Sequence, residues 1–527
     1  MACGKLKALG SLWLVILLLG VVVSTTDGQQ VGTNCSNARI RRSWDTYNAT
    51  EKALYLEAVG VAMDKGFHAK FIEIHTEMMS EREAHGNCMF IYWHRMMLLG
   101  YENMLRSLDP KYSCVTLPYW DHLSNSARQT VKSCSSLRTC APVITETGGT
   151  LGVTKTLTIY NSTISTSSTT TCYTQAPLSH FCGTNTRTCA QCIIRKTQSA
   201  LSSTPYPSAA MFATVSSDVM SSNSYATFTN KIEQDIHNMI HSVLGGVMAY
   251  LVSPADPIFY LHHALVDLLQ VIYLKCQLGS DSVLLSATAK GSDPRWFATC
   301  LRRSSSVSYT TADNVTLHGA DGKPVQDPSH PLYPFFKDLP YRFVDYVDAK
   351  DLGNYSYTYT MSGGLGTMYQ NCGSSTTLSA ATSLLADESE NEARGGGPDS
   401  LRPIIEPGTA DDDTVRRWTI ALYEAARIVG YSEAAATEQM EMVACRYQDD
   451  CLGGVQDYTD LFRTNFGVDG HPRCYTVMQY LNSGDRVIGI PKWKEITARF
   501  LPCAAYKTRA KTAFEKAVEK YADATSS

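Results

Sequence analysis

Two segments decide the fold: Asp235-Ile236-His237-Asn238-Met239-Ile240-His241, then Asp256-Pro257-Ile258-Phe259-Tyr260-Leu261-His262-His263-Ala264-Leu265-Val266-Asp267. His237 and His241 stand at i and i+4. That is one face of a helix, where two imidazoles can reach one metal ion. Phe259, His263 and Asp267 repeat at i, i+4 and i+8. This spacing puts Asp267 beside His263, as the carboxylate that fixes its tautomer. Helix neighbours point about 100° apart, so His262 and His263 are not expected to face one ion together.

A second histidine block lies upstream. On a continuous helix His85 and His94 would point about 180° apart, so sharing a metal requires a break, which Gly86-Asn87 allows. His85 then belongs to a loop and His94 to a helix running from Tyr92 to Arg106. A third ligand comes from His68 or His75. The donor set becomes three imidazoles plus three imidazoles, without carboxylate or cysteine. Such a set suits Cu, Zn, Fe or Ni. Zinc hydrolysis is disfavoured because Asn238, not Glu, follows His237.

Composition narrows the class. The chain has 527 residues, a hydrophobic content of 44% and a charged content of 18%. These values exclude a disordered or collagenous chain. A formal net charge of −4 leaves no basic excess to neutralise a phosphate backbone, so no nucleic-acid partner is expected. Lys5 and Lys7 precede an apolar run from Leu9 to Val23, and Thr26-Asp27-Gly28 suits cleavage before Gln29. Residues 1–28 therefore read as a signal peptide, whose 15-residue apolar run is too short for a bilayer span of about 20 residues. A secreted protein without a stable membrane span follows. Of 17 cysteines, Cys3 leaves with the signal, and the even remainder suggests disulfides. Sequons at Asn34, Asn48, Asn161, Asn314 and Asn354 agree with export. Cys189 and Cys192, close to Cys172 and Cys182, read as structural disulfides and not as half a zinc site.

The predicted fold is mainly α. An opening helix over 37–62 is capped by Asn48 or Thr50. Residues 125–230 form a Ser/Thr- and Cys-rich insertion without a core of its own. Helix returns over 231–276, and turns and strands over 300–362. Residues 363–400 read as a linker, ending in the acidic, triple-glycine stretch Asp387 to Ser400. Residues 401–527 read as a separate helical unit. There Val415, Trp418, Leu422, Ala425 and Val429 share one helix face, with Asp413 or Thr414 as cap and Gly430 as stop. Cys445, Cys451, Cys474 and Cys503 tie this unit together, and an amphipathic helix over 507–523 closes it. The sequence sets no oligomeric state.

At its histidine blocks the chain resembles the tyrosinase family of type 3 copper proteins, which also holds catechol oxidases and haemocyanins. The matching residues are Ala84-His85 with Trp93-His94-Arg95, Phe71 to His75, and both segments quoted above with Gly245-Gly246 between them. Arg42 and Trp44, and Leu352 to Tyr357, resemble the family's start and its closing paired-tyrosine motif. The resemblance covers roughly residues 38–360, excluding the insertion.

This resemblance implies a four-helix bundle holding two coppers, one on His75, His85 and His94, the other on His237, His241 and His263. It implies Phe259 beside the dicopper centre and a gate residue at Tyr250 or Leu251. It also implies that Glu233 and Asn238 hold a water that takes the phenol proton. Some relatives carry a thioether-linked Cys where Glu83 stands, so no such crosslink is expected. Tyr92 replaces the family's usual Pro, and Cys88 a small residue. The implied activity is that of a tyrosinase, which hydroxylates small monophenols and oxidises o-diphenols to o-quinones with O2. A catechol oxidase and a haemocyanin-like O2 carrier are the alternatives. Residues 401–527 are expected to shield the site.

Overall fold

Asn48 opens the first long helix, Ala49–Asp64, with a reciprocal capping box to Glu51. The computed structural model describes residues 35–183, 189–281, 283–303, 305–372 and 401–506. The expected signal peptide, the Asp387–Ser400 stretch and the final helix lie outside the described residues. Before the first helix, Ile40–Arg41 forms a short strand paired in parallel with Thr358–Met361, which pairs in turn with Ile404–Ile405. The two ends of the central region and the start of the C-terminal region therefore share one small sheet.

Helices carry the histidines. Gly66, at φ 76°, turns the chain into helix Phe67–Thr76, which bears His68 and His75. Glu77 caps the next helix, Met78–Ala84, by accepting from the amides of Met79 and Ser80. Gly86 takes φ 68°, a left-handed conformation that costs glycine little. The Asn87 side chain accepts from Met89 N at 2.8 Å. This turn separates His85 from helix Phe90–Ser107, which bears His94. Helix Tyr225–Ile232 runs into a π turn, Glu233–His237, and then into helix Asn238–Leu244. Helix Ile258–Leu278 carries His262 and His263 and ends at Gly279.

The insertion joins the main core. Its antiparallel strands Gly152–Val153, Thr170–Tyr173 and Ile193–Lys196 form one sheet, and Thr156–Ile159 pairs with Ser162–Ser165. Arg195 from the last of these strands donates to both oxygens of Asp256 at 2.6 Å, a bidentate pair. Beside it, a Cβ on Gly246 would fall 2.2 Å from Ile194 O, so this strand approaches as closely as only glycine permits.

Residues 363–371, read from sequence as linker, form a helix, and Cys276–Cys372 fastens its end. The disulfides of the C-terminal region are Cys445–Cys474 and Cys451–Cys503. Its first long helix, Ala410–Ile428, is capped by Thr409 and not by Asp413 or Thr414. Its core residues Trp418, Leu422 and Tyr447 cluster with Ala127, Met211 and Ala213 of the central region. The boundary thus includes an apolar contact, crossed by hydrogen bonds such as that of Ser124 to Asp412. Among the described residues no helix is long and apolar enough to cross a membrane.

Candidate metal centre

Every histidine of the two blocks is buried, so each needs a partner for its ring nitrogens. His68 has two. Its Nδ1 meets the Tyr101 hydroxyl at 2.9 Å, and its Nε2 meets Ala255 O at 3.0 Å. Both nitrogens are spent inside the core. His75, two helical turns on, donates from Nδ1 to Leu251 O at 2.7 Å. That leaves its Nε2 facing the Nε2 of His94 at 3.4 Å. His94 in turn donates from Nδ1 to Phe90 O at 2.8 Å. His85 completes the group, with its ring 5.0 Å from that of His75 and 5.4 Å from that of His94. Ligand atoms of His75, His85 and His94 all lie within 4.8 Å of one another.

The second group is built the same way. His241 donates from Nδ1 to Met248 O at 2.7 Å, and His237 from Nδ1 to the Asn238 side-chain oxygen at 2.9 Å. Ligand atoms of His237, His241 and His262 lie within 4.8 Å of one another. His263 also reaches this group, with its Nε2 3.3 Å from that of His241. Both members of the His-His pair therefore turn toward the second group, contrary to the 100° argument. His262 is held from behind by His122 Nε2 at 2.9 Å, and His122 by the Tyr206 hydroxyl at 2.6 Å. Neither His122 nor Tyr206 carries a sequence signal for this role.

The two groups touch. His94 and His263 stack with ring centroids 4.3 Å apart. Phe259 lies between them, 5.2 Å from His75 and 4.0 Å from His263. Of the proposed gate pair, Leu251 contributes its carbonyl to His75, while the Tyr250 ring stacks on none of the histidines among the described residues.

The donor set fits metal ions. Both nitrogens of His85, Nε2 of His237 and His262, and Nδ1 of His263 are buried without a hydrogen-bond partner among the described residues. Burial, reinforced by the neighbouring imidazoles, pushes His75 down to about 3, and burial lowers His241 to about 4. His85, His94, His237 and His263 fall well below the ordinary value for the same reasons. Neutral imidazoles with the proton on Nδ1 present lone pairs at Nε2, the form that binds metal.

Asp267 does not fill the place the spacing gave it. Its carboxylate accepts from Arg95 at 2.5 Å, Arg41 at 3.3 Å, and the hydroxyls of Tyr357 at 2.6 Å and Tyr359 at 2.5 Å. Four donors from distant segments saturate it, and His263 Nδ1 stays without a partner among the described residues. Asp267 therefore anchors the helix and does not orient His263. Its pKa lies below the ordinary value, the two guanidinium groups outweighing burial.

Glu233 is buried. It accepts from Gly86 N at 2.7 Å, next to His85. Burial pushes its carboxyl up to about 8, against the opposing pull of that amide and of Arg303. Asn238 is held by His237 as described. Glu83 accepts from Thr316 N at 2.8 Å, and Cys88 pairs with Cys300. The Tyr92 hydroxyl donates to Trp296 O at 2.7 Å.

The C-terminal region supplies residues that the histidine motifs could not indicate. Helix Asp460–Phe466 brings Phe466 edge-on to His85 at 5.6 Å and against His241 at 5.4 Å. Phe462 stacks behind it at 4.6 Å. Asn465 donates to Ala249 O at 2.9 Å, and Thr459 N to the Ser242 hydroxyl at 2.8 Å. The i, i+4 spacing of the two Phe after a Thr cap was a readable signal of an apolar helix face.

Residues 65–275 match the family model described as the common central domain of tyrosinase. The chain is 29% identical over 250 residues to the tyrosinase of Streptomyces lincolnensis, covering 43% of this chain and 80% of that one. It is 29% identical over 242 residues to the tyrosinase of Streptomyces antibioticus, with the same coverage of 43% and 80%. Compared with a polyphenol oxidase from Thermothelomyces thermophila, the structure gives a TM-score of 0.39 at 18% identity, over 62% of this chain and 89% of that chain.

Proposed function

The chain belongs to the tyrosinase family through its central domain, and on that premise we propose that it is a copper-dependent phenol oxidase. It ortho-hydroxylates small monophenols and oxidises o-diphenols to o-quinones with O2. One observation carries this reading. Two groups of buried imidazoles, each with ligand atoms of three histidines within 4.8 Å of one another, meet across Phe259.

His75, His85 and His94 would hold one copper, and His237, His241 and His263 the other. When bound, the pair supplies the redox chemistry that lets O2 react with a phenol. The protein's own residues do the rest. Carbonyls of Leu251, Phe90 and Met248 fix the tautomers of His75, His94 and His241. Phe259 and Phe90 keep the space between the groups apolar, and Phe90 lies 4.7 Å from His237. Glu233, with Asn238, takes the phenol proton through a held water. Phe466 shields the centre, so the chain as it stands is latent. The disulfides fit an oxidising compartment, and secretion is part of this reading.

Oxygen uptake by the copper-loaded protein tests it, with tyrosine and with L-DOPA. Uptake with both is expected after the C-terminal shield is opened. Uptake with L-DOPA alone would assign a catechol oxidase. Uptake with neither, from protein holding two coppers, would overturn the enzyme reading and favour an O2 carrier.

A further inference from the structure

His85 differs from its two companions. His75 and His94 each commit Nδ1 to a carbonyl, whereas neither nitrogen of His85 has a hydrogen-bond partner among the described residues. It also stands on a turn: Ala84 ends the preceding helix and Gly86 takes the left-handed conformation. A ligand placed on a turn needs something else to hold its ring.

The group facing His85 Nδ1 is Glu81, one helical turn earlier, with Oε1 at 3.9 Å. Glu81 is itself held, because Arg303 Nη1 donates to the same oxygen at 2.7 Å. The Arg303 side chain lies along the His85 turn. A Cβ built on Gly86 would come 3.3 Å from Arg303 Nε. The Cys88–Cys300 disulfide fastens this contact, joining the turn after His85 to the segment before Arg303. Glu83 faces elsewhere, toward Thr316 N and Arg302, so it gives His85 no hold.

We propose that Glu81 is a positioning residue for His85, with Arg303 setting the place of its carboxylate; this rests on the copper reading above. A neutral imidazole carries one N–H. At 3.9 Å the Glu81 carboxylate makes no hydrogen bond to Nδ1, but its negative charge favours the proton on that nitrogen and so leaves the lone pair at Nε2 for the metal. The rival role is a staple that only ties helix Met78–Ala84 to the segment around residue 303.

Copper titration of the full-length apoprotein against a competing chelator separates the two roles, read together with apoprotein melting. Wild type should take up two equivalents. Glu81→Ala should weaken one of them by about 10–100-fold, the usual cost of losing such a partner, and leave the other unchanged. Glu81→Gln, close in size, should lower the same site by less. Arg303→Ala should weaken that site too, and Arg303→Lys should recover part of the loss. Glu83→Gln should leave both affinities intact. Two wild-type affinities in Glu81→Ala would overturn the proposal. So would equal weakening of both sites together with a lower melting temperature, which is the signature of the staple. A wild-type chain that binds no copper would overturn the dicopper reading and this proposal with it, whereas normal wild-type loading with a silent Glu81→Ala would overturn this proposal alone.

Discussion

His75 Nε2 faces His94 Nε2 at 3.4 Å while each ring gives its Nδ1 proton to a backbone carbonyl. Two neutral imidazoles that have both spent their proton elsewhere oppose lone pair to lone pair. That arrangement becomes favourable when a cation lies within reach of both. Removing one ring should therefore cost metal before it costs fold. His94→Ala is expected to lower copper from two equivalents to one or fewer, measured by metal analysis after dialysis. His68→Ala should keep both coppers but melt earlier, by the equivalent of about 1–3 kcal/mol, because Tyr101 and Ala255 lose a buried partner. Comparing His262→Ala with His263→Ala settles the second site. Copper lost in the first and kept in the second would replace His263 by His262.

The histidine blocks were legible because their logic is local. His237 and His241 needed only the helical repeat, and Gly86-Asn87 announced the break between His85 and His94. Asp267 was misread because the spacing described its own helix. It could not reveal that Arg41, Arg95, Tyr357 and Tyr359 arrive from segments far along the chain. The π turn over Glu233–His237 likewise interrupts the regular helix with no local spacing to announce it. The contact of Phe466 with His85 joins segments that only tertiary packing brings together.

The saturated Asp267 should be a stability site and not a metal site. Asp267→Asn removes the charge between two fully buried guanidinium groups, leaving Arg95 without its carboxylate. Breaking a buried pair in this way typically costs about 3–5 kcal/mol. Denaturant unfolding should show that loss, and correctly folded variant should still take up two coppers. The Asp267 carboxyl is lower in the folded chain than its ordinary value. Its contribution is present above about pH 4 and is lost as pH falls through the folded value. Retention of wild-type stability in Asp267→Asn would refute the anchor.

A second carboxylate pair predicts how the C-terminal region responds to pH. Asp121 and Asp412 share the Ser124 hydroxyl, at 3.1 Å and 3.0 Å. Burial, then the Asp412 charge, pushes Asp121 up to about 7. A raised carboxyl stabilises the folded contact fully below about pH 4, and this stabilisation is lost as pH rises through about 7. Protease cutting of the segment between Cys372 and Leu401 should therefore be followed by easier release of the C-terminal region at pH 8 than at pH 5. Asp412→Asn should flatten that dependence. Equal release at both pH values in the wild type would remove the pair from the contact.

Phe466 meets a histidine of each group, so it should limit access. Phe466→Ala removes the ring but keeps the helix anchored through Thr459 and Asn465. Diphenol turnover, kcat/KM, is expected to rise at least tenfold, about 1.4 kcal/mol in barrier. Cutting near Gly395 to Gly397 should act in the same direction. Unchanged turnover after both treatments would show that the helix packs on the domain without closing it.

Hydroxylation and simple oxidation need the same histidines, so the ligands do not decide between them. The difference is removal of the phenol proton, for which Glu233 is the candidate base. Its carboxyl sits at the turn carrying His85, bonded to Gly86 N, and burial raises it to about 8. A base must be ionised, so monophenol turnover should climb as pH rises toward that value. Two bound dications nearby would bring the midpoint down. Diphenol turnover should respond less, because a catechol is the easier substrate to oxidise. General-base help is typically worth about 10²–10⁴-fold. Glu233→Gln is therefore expected to depress monophenol turnover by that order while sparing diphenol turnover, and Asn238→Ala to act in the same direction. The measured quantity is the ratio of the two rates in one preparation, which cancels incomplete copper loading. A parallel fall in both rates would reduce Glu233 to a support of the His85 turn. If the wild type never hydroxylates tyrosine, even with a catechol primer to reduce the coppers, the catechol oxidase reading prevails.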